Sequence, residues 1–373
     1  MAEIERYSVE AIPLVPAAAA AADALDAENA RQPELPETQN ESWRILAALA
    51  RFGLLVAGVW VLLYGIHRAF PGIRPGAELV YERKLRCIAE GDLFPSRATT
   101  RVVVCGDSRV LSGFIPDVFD HLSHGEVASY NLGVPASDAF IDDLERLVER
   151  GECPTHVLLT LPWSQDELPS SWNRWQHDDW LMDSCFPFRR LPRDAVLFCM
   201  LARKRGGTRA FYNQVLALVD QMARDRGYYF IESLSEFPAR RLPDDFHLDS
   251  DRPHKVLMRE AIPQGPVFNR LLQLARKGRF RVFLMPTYWR DGAVAIATQS
   301  TLGKRLAEYG IVVLGPDYWT FSNRFFSDPM HTNPEGARLY TTKLWELFAP
   351  FCETAAAQQR DPVARVRLNL ISK

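Results

Sequence analysis

Residues 101–114 read RVVVCGDSRVLSGF. Four apolar residues, three of them β-branched valines, favour a buried strand. The strand runs straight into Gly106-Asp107-Ser108, and the apolar spacing changes after it. Two readings fit this stretch. Either a strand-to-helix turn happens to be polar, or a nucleophile is held at the carboxyl end of a parallel sheet.

The same pattern recurs downstream. VASYNLGV (127–134), THVLLTLPW (155–163), FRVFLMP (280–286) and IVVLGP (311–316) predict four further strands. ASDAFIDDLERLVERG (136–151) predicts a helix with Phe140, Ile141, Leu144, Leu147 and Val148 on one face. Ser137 or Asp138 suits its start and Gly151 its end. GPVFNRLLQLARKG (265–278) and AVAIATQSTLGKRLAEYG (293–310) predict two more helices. NPEGARLYTTKLWELF (333–348) predicts a last one, with Asn333 as cap and Pro334 in the first turn. Apolar strands separated by helices imply an α/β fold, a parallel sheet with helices on both faces. Ligands bind such sheets at the carboxyl ends of the strands. Residues 164–262 do not follow the alternation and read as an insertion, rich in Trp and Arg.

Upstream of the first strand lies WRILAALARFGLLVAGVWVLLYGIHRAF (43–70), with Arg51 as the one charge between Ile45 and Ile66. At about 1.5 Å per residue, residues 45–66 span a hydrocarbon core of roughly 30 Å. Trp43, Trp60 and Tyr64 suit its interfaces, and no small-residue cleavage site follows, so it reads as an uncleaved single-pass anchor. The expected organisation is a disordered Ala/Pro/acid-rich tail (1–42), the anchor (43–70), a linker (71–98), the α/β domain (99–351) and a C-terminal tail (352–373). Arg68, Arg74, Arg83, Lys84 and Arg86 follow the anchor, against Arg44 and Arg51 near its start, so a literal positive-inside count keeps the domain cytoplasmic.

Composition excludes some partners. Lys+Arg 44 against Asp+Glu 46 leaves no basic excess for nucleic acid. The six cysteines form no CxxC, so neither a structural zinc nor another metal is expected, and disulfides stay open. Asp245, His247, Asp249, Asp251 and His254 in DDFHLDSDRPH read as a charged surface loop in preference to a metal site.

The chemistry-bearing segment is FSDPMHTNPEGARLY (326–340), in which Asp328 and His331 stand just before a capped helix. A serine nucleophile needs a base to take its proton, and the base needs a partner that fixes its tautomer and stabilises its cation. Ser108, His331 and Asp328 supply such a set, and Ser108 opens a helix whose free N–H groups favour developing negative charge.

GDS after the first strand, the glycine of NLG after the second, and DPMH before the last helix resemble the SGNH (GDSL-type) hydrolase and acyltransferase superfamily. The resemblance covers about residues 99–351 outside the insertion. GDSR, NLGVPAS and HTNPEGARLY are most similar to its membrane-anchored branch, which includes alginate-type O-acetyltransferases and D-alanyl-transfer proteins. It implies a flavodoxin-like three-layer fold, Ser108 as nucleophile, His331 as base, Asp328 as its orienting acid, and the N–H groups of Ser108 and Gly133 as oxyanion donors. It further implies no cofactor, acetyl transfer to a polysaccharide or surface-glycan hydroxyl, and a multispanning membrane protein as acyl donor. The expected location is the inner membrane, with the domain periplasmic, against the charge count. The family's Gly-x-Asn-Asp block is missing after the third strand. LPWSQDE stands there, with Gln165 as the best substitute donor. The alternatives are a carbohydrate or lipid esterase and a catalytically degenerate glycan-binding or assembly subunit. Arg109, Trp163, Tyr288 and Trp289 are candidate substrate contacts, since aromatic faces stack on sugar rings. An insertion core or membrane rim explains the aromatics equally, and an Asp107 ion pair explains Arg109.

Overall fold

The protein is described here by a computed structural model that covers residues 38–74, 76–91, 93–95, 98–134, 140–160, 185–230, 237–257, 266–296 and 302–360. Residues up to Leu63 and residues from Tyr64 onward form separate units. Helix α1 (Thr38–Ala69) contains a stretch, Ser42–Ala69, that is long and apolar enough to cross a membrane, and the side chains of its most apolar window are not buried.

From Tyr64 onward the element order is α2 (Gly76–Glu90), β1 (Thr100–Cys105), α3 (Ser108–Gly113), α4 (Pro116–Leu122), β2 (Val127–Asn131), α5 (Phe140–Glu149) and β3 (His156–Leu159). Next come α6 (Leu191–Lys204), α7 (Thr208–Arg224), β4 (Arg252–Leu257), α8 (Pro266–Gly278), β5 (Arg281–Leu284), β6 (Thr287–Arg290) and β7 (Val294–Ile296). The last described elements are α9 (Leu302–Ala307), β8 (Ile311–Val313), β9 (Tyr318–Phe321) and α10 (Pro334–Arg360).

The main sheet is parallel, in the order β2-β1-β3-β5-β8. Its five strands are the five expected from the sequence. Their alternate residues feed two cores. Val103, Cys105, Val157, Leu159, Val282 and Leu284 face α5 and α8. Val102, Val104, Leu158 and Phe283 face α3, α4 and α10. Helices therefore cover both faces, as a parallel sheet requires. The chain leaves β1 toward β2 and returns across it to β3, so the crevice at the carboxyl ends of β1 and β3 is the switch point where such sheets bind ligands.

Several elements differ from the expectations. Residues 71–98 are not a linker, because α2 packs its Leu79, Val80, Lys84 and Ile88 into the domain. The expected helix at 293–310 does not begin as one. Val294–Ile296 forms β7 and pairs in parallel with β4, and among the described residues the helix runs from Leu302 to Ala307. Val and Ile at alternate positions fit a strand better than the first turn of a helix. The last helix continues through Pro350 to Arg360, so the domain does not stop at 351. Within the insertion, α6 and α7 pack on α2 through Phe198, Phe211, Val215 and Met222. Asn333 caps α10 as expected, its Oδ1 accepting the Gly336 N–H at 3.0 Å, and Gly151 takes positive φ after α5. Ser137 and Asp138 lie outside the described residues.

Candidate active site

Three segments meet at the switch point. β1 ends at Cys105, and Gly106 turns the chain where a Cβ would lie 2.4 Å from both Thr160 Oγ1 and Val110 Cγ2. Only glycine lets the turn pass this close to the end of β3. Asp107 then caps α3, its Oδ1 accepting the Arg109 N–H at 2.9 Å. Ser108 thereby becomes the first residue of α3, and among the described residues its own N–H has no acceptor.

The base arrives from a loop before α10. An antiparallel bridge between Phe326 and Thr332 closes this loop, and the Ser327 N–H donates to the His331 carbonyl at 2.9 Å. Inside it, Asp328 Oδ1 accepts the N–H groups of Met330 and His331, each at 2.8 Å. Asp328 Oδ2 lies 2.8 Å from His331 Nδ1, and His331 Nε2 lies 2.9 Å from Ser108 Oγ. A carboxylate only accepts, so Nδ1 carries the proton and Nε2 is left to accept from the serine hydroxyl. Burial pulls the Asp328 carboxyl upward, but the His331 hydrogen bond and charge and the two backbone donors outweigh it and hold it below its ordinary value. The acid therefore stays ionised beside the imidazole.

The Ser108 helix and the His331 loop are tied to each other through backbone groups. Thr332 Oγ1 donates to the Ser112 carbonyl at 3.1 Å, and Thr341 Oγ1 accepts the Ile115 N–H at 2.9 Å. Tyr288 Oη donates to the Arg109 carbonyl at 2.8 Å. On the other side of α3, Asn131 Nδ2 donates to the carbonyls of Val110, Leu111 and Phe114. The Tyr229 N–H from the insertion donates to the Leu111 carbonyl at 3.1 Å. The short helix is thus held at its exposed carbonyls, where an unsupported six-residue helix frays.

The oxyanion side departs from the expectation. The Gly133 N–H donates to Asn131 Oδ1 at 2.8 Å, so it is not offered to Ser108. The glycine is needed for a different reason. A Cβ there would lie 2.4 Å from Leu111 N and 2.8 Å from Leu111 Cα. The Leu132–Val134 segment lies flat against α3 and is latched from two directions. Leu132 and Val134 donate to the carbonyls of Val104 and Gly106 at 2.8 and 2.9 Å. Lys84 Nζ donates to the carbonyls of Asn131 and Gly133 at 2.6 and 2.7 Å. Lys84 is fully buried. Burial pushes its ammonium down to about 7, while the Asp143 charge pulls it upward. Burial likewise raises the Asp143 carboxyl, to about 7, against the opposing pull of Arg146 and Lys84. Gln165 and Trp163 lie outside the described residues. Ser108 N–H is the donor the described residues offer.

No family model, no curated protein and no solved structure matches the chain.

Two of the expected substrate contacts, Tyr288 and Arg109, turn inward, whereas Trp289 is only half-buried. Tyr288 is fully buried, stacked near Phe321 and edge-on to Tyr340, and contacts no solvent that a substrate would displace. Arg109 is buried as well. Its Nε and Nη2 reach Asp107 Oδ2 at 3.2 and 3.1 Å, and its guanidinium stands 4.9 Å from the Trp289 ring centre. The ion-pair alternative for Arg109 is the one found. Among the described residues no His, Cys, Asp and Glu group is placed to hold a metal. Asp251 instead pairs with the buried Arg290 at 2.5 Å.

Sequence reasoning passed over Lys84 and the buttressing role of Asn131. The first had a readable signal. Val80, Lys84 and Ile88 recur at four-residue steps, which places a lysine within an apolar helical stripe.

Proposed function

We propose that the protein is a membrane-anchored serine acyltransferase of SGNH type, which moves an acyl group, acetyl above all, to a hydroxyl of a polysaccharide or surface glycan. The observation that supports it is the unbroken chain of contacts from Ser108 Oγ through His331 to Asp328. In this reading His331 Nε2 takes the Ser108 proton while Oγ adds to the acyl carbonyl. The negative charge gathers on the carbonyl oxygen beside the Ser108 N–H. Collapse expels the donor's leaving group, which receives the proton from His331, and acyl-Ser108 remains. The glycan hydroxyl then gives its proton to His331, attacks the acyl carbon and releases Ser108 by the same steps reversed. Residues 42–69 anchor the domain at the inner membrane, on the periplasmic side where glycan acceptors lie, with a multispanning membrane protein as acyl donor. A phosphatase fused after Lys373 should be active there, and fluorescence of a cytoplasm-only reporter at the same position refutes that placement.

A second reading, a domain without turnover that binds glycan or partners, draws on the engaged Gly133 N–H, which leaves a single described oxyanion donor. Fluorophosphonate labelling followed by peptide mapping separates the two. A label on the Ser108 peptide, lost in Ser108→Ala, is the expected result. An unlabelled wild-type protein overturns the enzyme in favour of the scaffold. An acyl product that forms only when a glycan acceptor is added distinguishes the transferase from an esterase.

A further inference from the structure

Lys84 takes no part in the contacts among Ser108, His331 and Asp328, yet it is bonded to the strip on which the nucleophile helix rests. It sits on α2 between Val80 and Ile88 and is fully buried. Burying an ammonium is costly, and lysines are almost never placed so without a partner. Asp143 of α5, itself buried, offsets part of that cost by its charge. The groups that accept the Lys84 hydrogen bonds are backbone: the carbonyls of Asn131 at 2.6 Å and Gly133 at 2.7 Å.

Both carbonyls belong to peptides that are held at their other edge by the end of β1. A trans peptide is planar, with its C=O and N–H on opposite edges. The peptide that carries the Gly133 carbonyl also carries the Val134 N–H, which donates to the Gly106 carbonyl at 2.9 Å. The peptide that carries the Asn131 carbonyl also carries the Leu132 N–H, which donates to the Val104 carbonyl at 2.8 Å. Hydrogen bonds in series polarise one another, so a charged donor at one end strengthens the bond at the other. Gly106 is the turn residue two places before Ser108. The same strip also meets α3 directly. A Cβ on Gly133 would lie 2.4 Å from Leu111 N, and Asn131 Nδ2 donates to the carbonyls of Val110, Leu111 and Phe114. Lys84 therefore bears on Ser108 by two routes, through the turn that precedes it and through the helix that it opens. Asn131 and Gly133 are buried, and Gly227 closes over the Asn131 carbonyl, where a Cβ would stand 2.1 Å from the oxygen. Without the amine these carbonyls lose a partner away from water.

We propose that Lys84 is a positioning residue for Ser108: its two bonds fix the 131–134 strip, and the strip fixes the nucleophile turn and α3. The inference rests on the serine chemistry proposed above and adds to it a residue that touches no reacting atom.

The test is fluorophosphonate labelling of Ser108 in the full chain, in detergent micelles and well below the thermal midpoint of every variant. The saturating rate and the half-saturating probe concentration are measured separately. Lys84→Met keeps an apolar stem without a donor, and Lys84→Gln keeps N–H donors on a shorter stem. Leu274→Ala, at a buried position on α8, is the control for lost packing. Lys84→Met should lower the saturating rate roughly 10- to 100-fold with the half-saturating concentration unchanged. Lys84→Gln should fall between it and the wild type. Leu274→Ala should lower the thermal midpoint and label at the wild-type rate. A labelled wild type matched in rate by Lys84→Met overturns the positioning role and leaves the serine chemistry standing. So does a loss of rate in Leu274→Ala as large as that in Lys84→Met, which marks a packing effect alone. Where Lys84→Met does not fold, Lys84→Gln decides: a wild-type saturating rate overturns the proposal, and a severalfold loss upholds it. A wild type that takes no label overturns the serine chemistry, and the role of Lys84 falls with it.

Discussion

Gly133→Ala separates two roles that a glycine beside a nucleophile can play. As a donor of its N–H, position 133 tolerates alanine, because the N–H remains. As a point of close approach it does not. The new Cβ would stand 2.4 Å from Leu111 N and 2.8 Å from Leu111 Cα, both backbone atoms that no rotamer change can move. Ordinary carbon contacts begin at about 3.5 Å, so the segment and α3 must part by about 1 Å. The segment is latched by Lys84 and by the end of β1, and α3 by Tyr288 and Thr332, so relief of the clash displaces a latched element, and any shift of α3 carries Ser108 with it. Overpacking of this kind costs about 1–3 kcal/mol. A 1 Å misplacement of a reacting group costs on the order of 100-fold in rate. The fluorophosphonate labelling rate and the thermal midpoint, measured on the same preparations, should both fall. A variant that labels at the wild-type rate and unfolds at the wild-type temperature refutes the close-packing argument.

Further outcomes follow from the same contacts. Asp328→Asn removes the group that keeps the proton on Nδ1 and should lower kcat/KM by roughly 10⁴-fold, with little change in KM. Because the folded Asp328 carboxyl lies below its ordinary value, its stabilisation is complete above about pH 4 and is lost as pH falls through the lowered value. Acid unfolding of the wild type should therefore show a limb that Asp328→Asn lacks. For Lys84 the sign is reversed. Its folded value near 7 lies below the ordinary value of about 10.4, so the folded state holds fewer protons between them and stability rises with pH. Urea unfolding at pH 7 and 9.5 should show the wild type gaining up to about 3 kcal/mol relative to Lys84→Met, and parallel profiles refute it. Tyr288→Phe should cost about 1 kcal/mol for the lost bond to the Arg109 carbonyl and leave KM for small esters unchanged. A raised KM would restore Tyr288 as a substrate contact.

The sheet was legible because its strands are buried on both faces, and a run such as Val102–Cys105 has few other ways to hide its side chains. The triad was legible for a similar reason. Asp328 and His331 sit at a fixed spacing before a capped helix, and Ser108 sits at a strand end. Gly133 was read as important, but for its N–H, because sequence cannot show that the Asn131 side chain folds back onto that group. α2 was missed because most of its residues are charged or small, and only the lysine within its apolar stripe betrays a buried face. Tyr288 and Arg109 look like binding residues by type. It takes the packing of β6 against β9 and α10 to turn them inward.

Ser108 and His331 stand 223 residues apart in the chain and touch only once the loop before α10 has docked on α3. At about 5–20 residues per second, the ribosome takes roughly 10–45 s to travel from one to the other. Throughout that interval the emerging chain already carries its apolar helix and its serine, yet nothing can draw off the hydroxyl proton. On the proposed reading, membrane insertion precedes assembly of the site, and reactivity switches on as a late folding event. On that reading, a chain cut short by a premature stop anywhere before residue 331 lacks the base and stays inert.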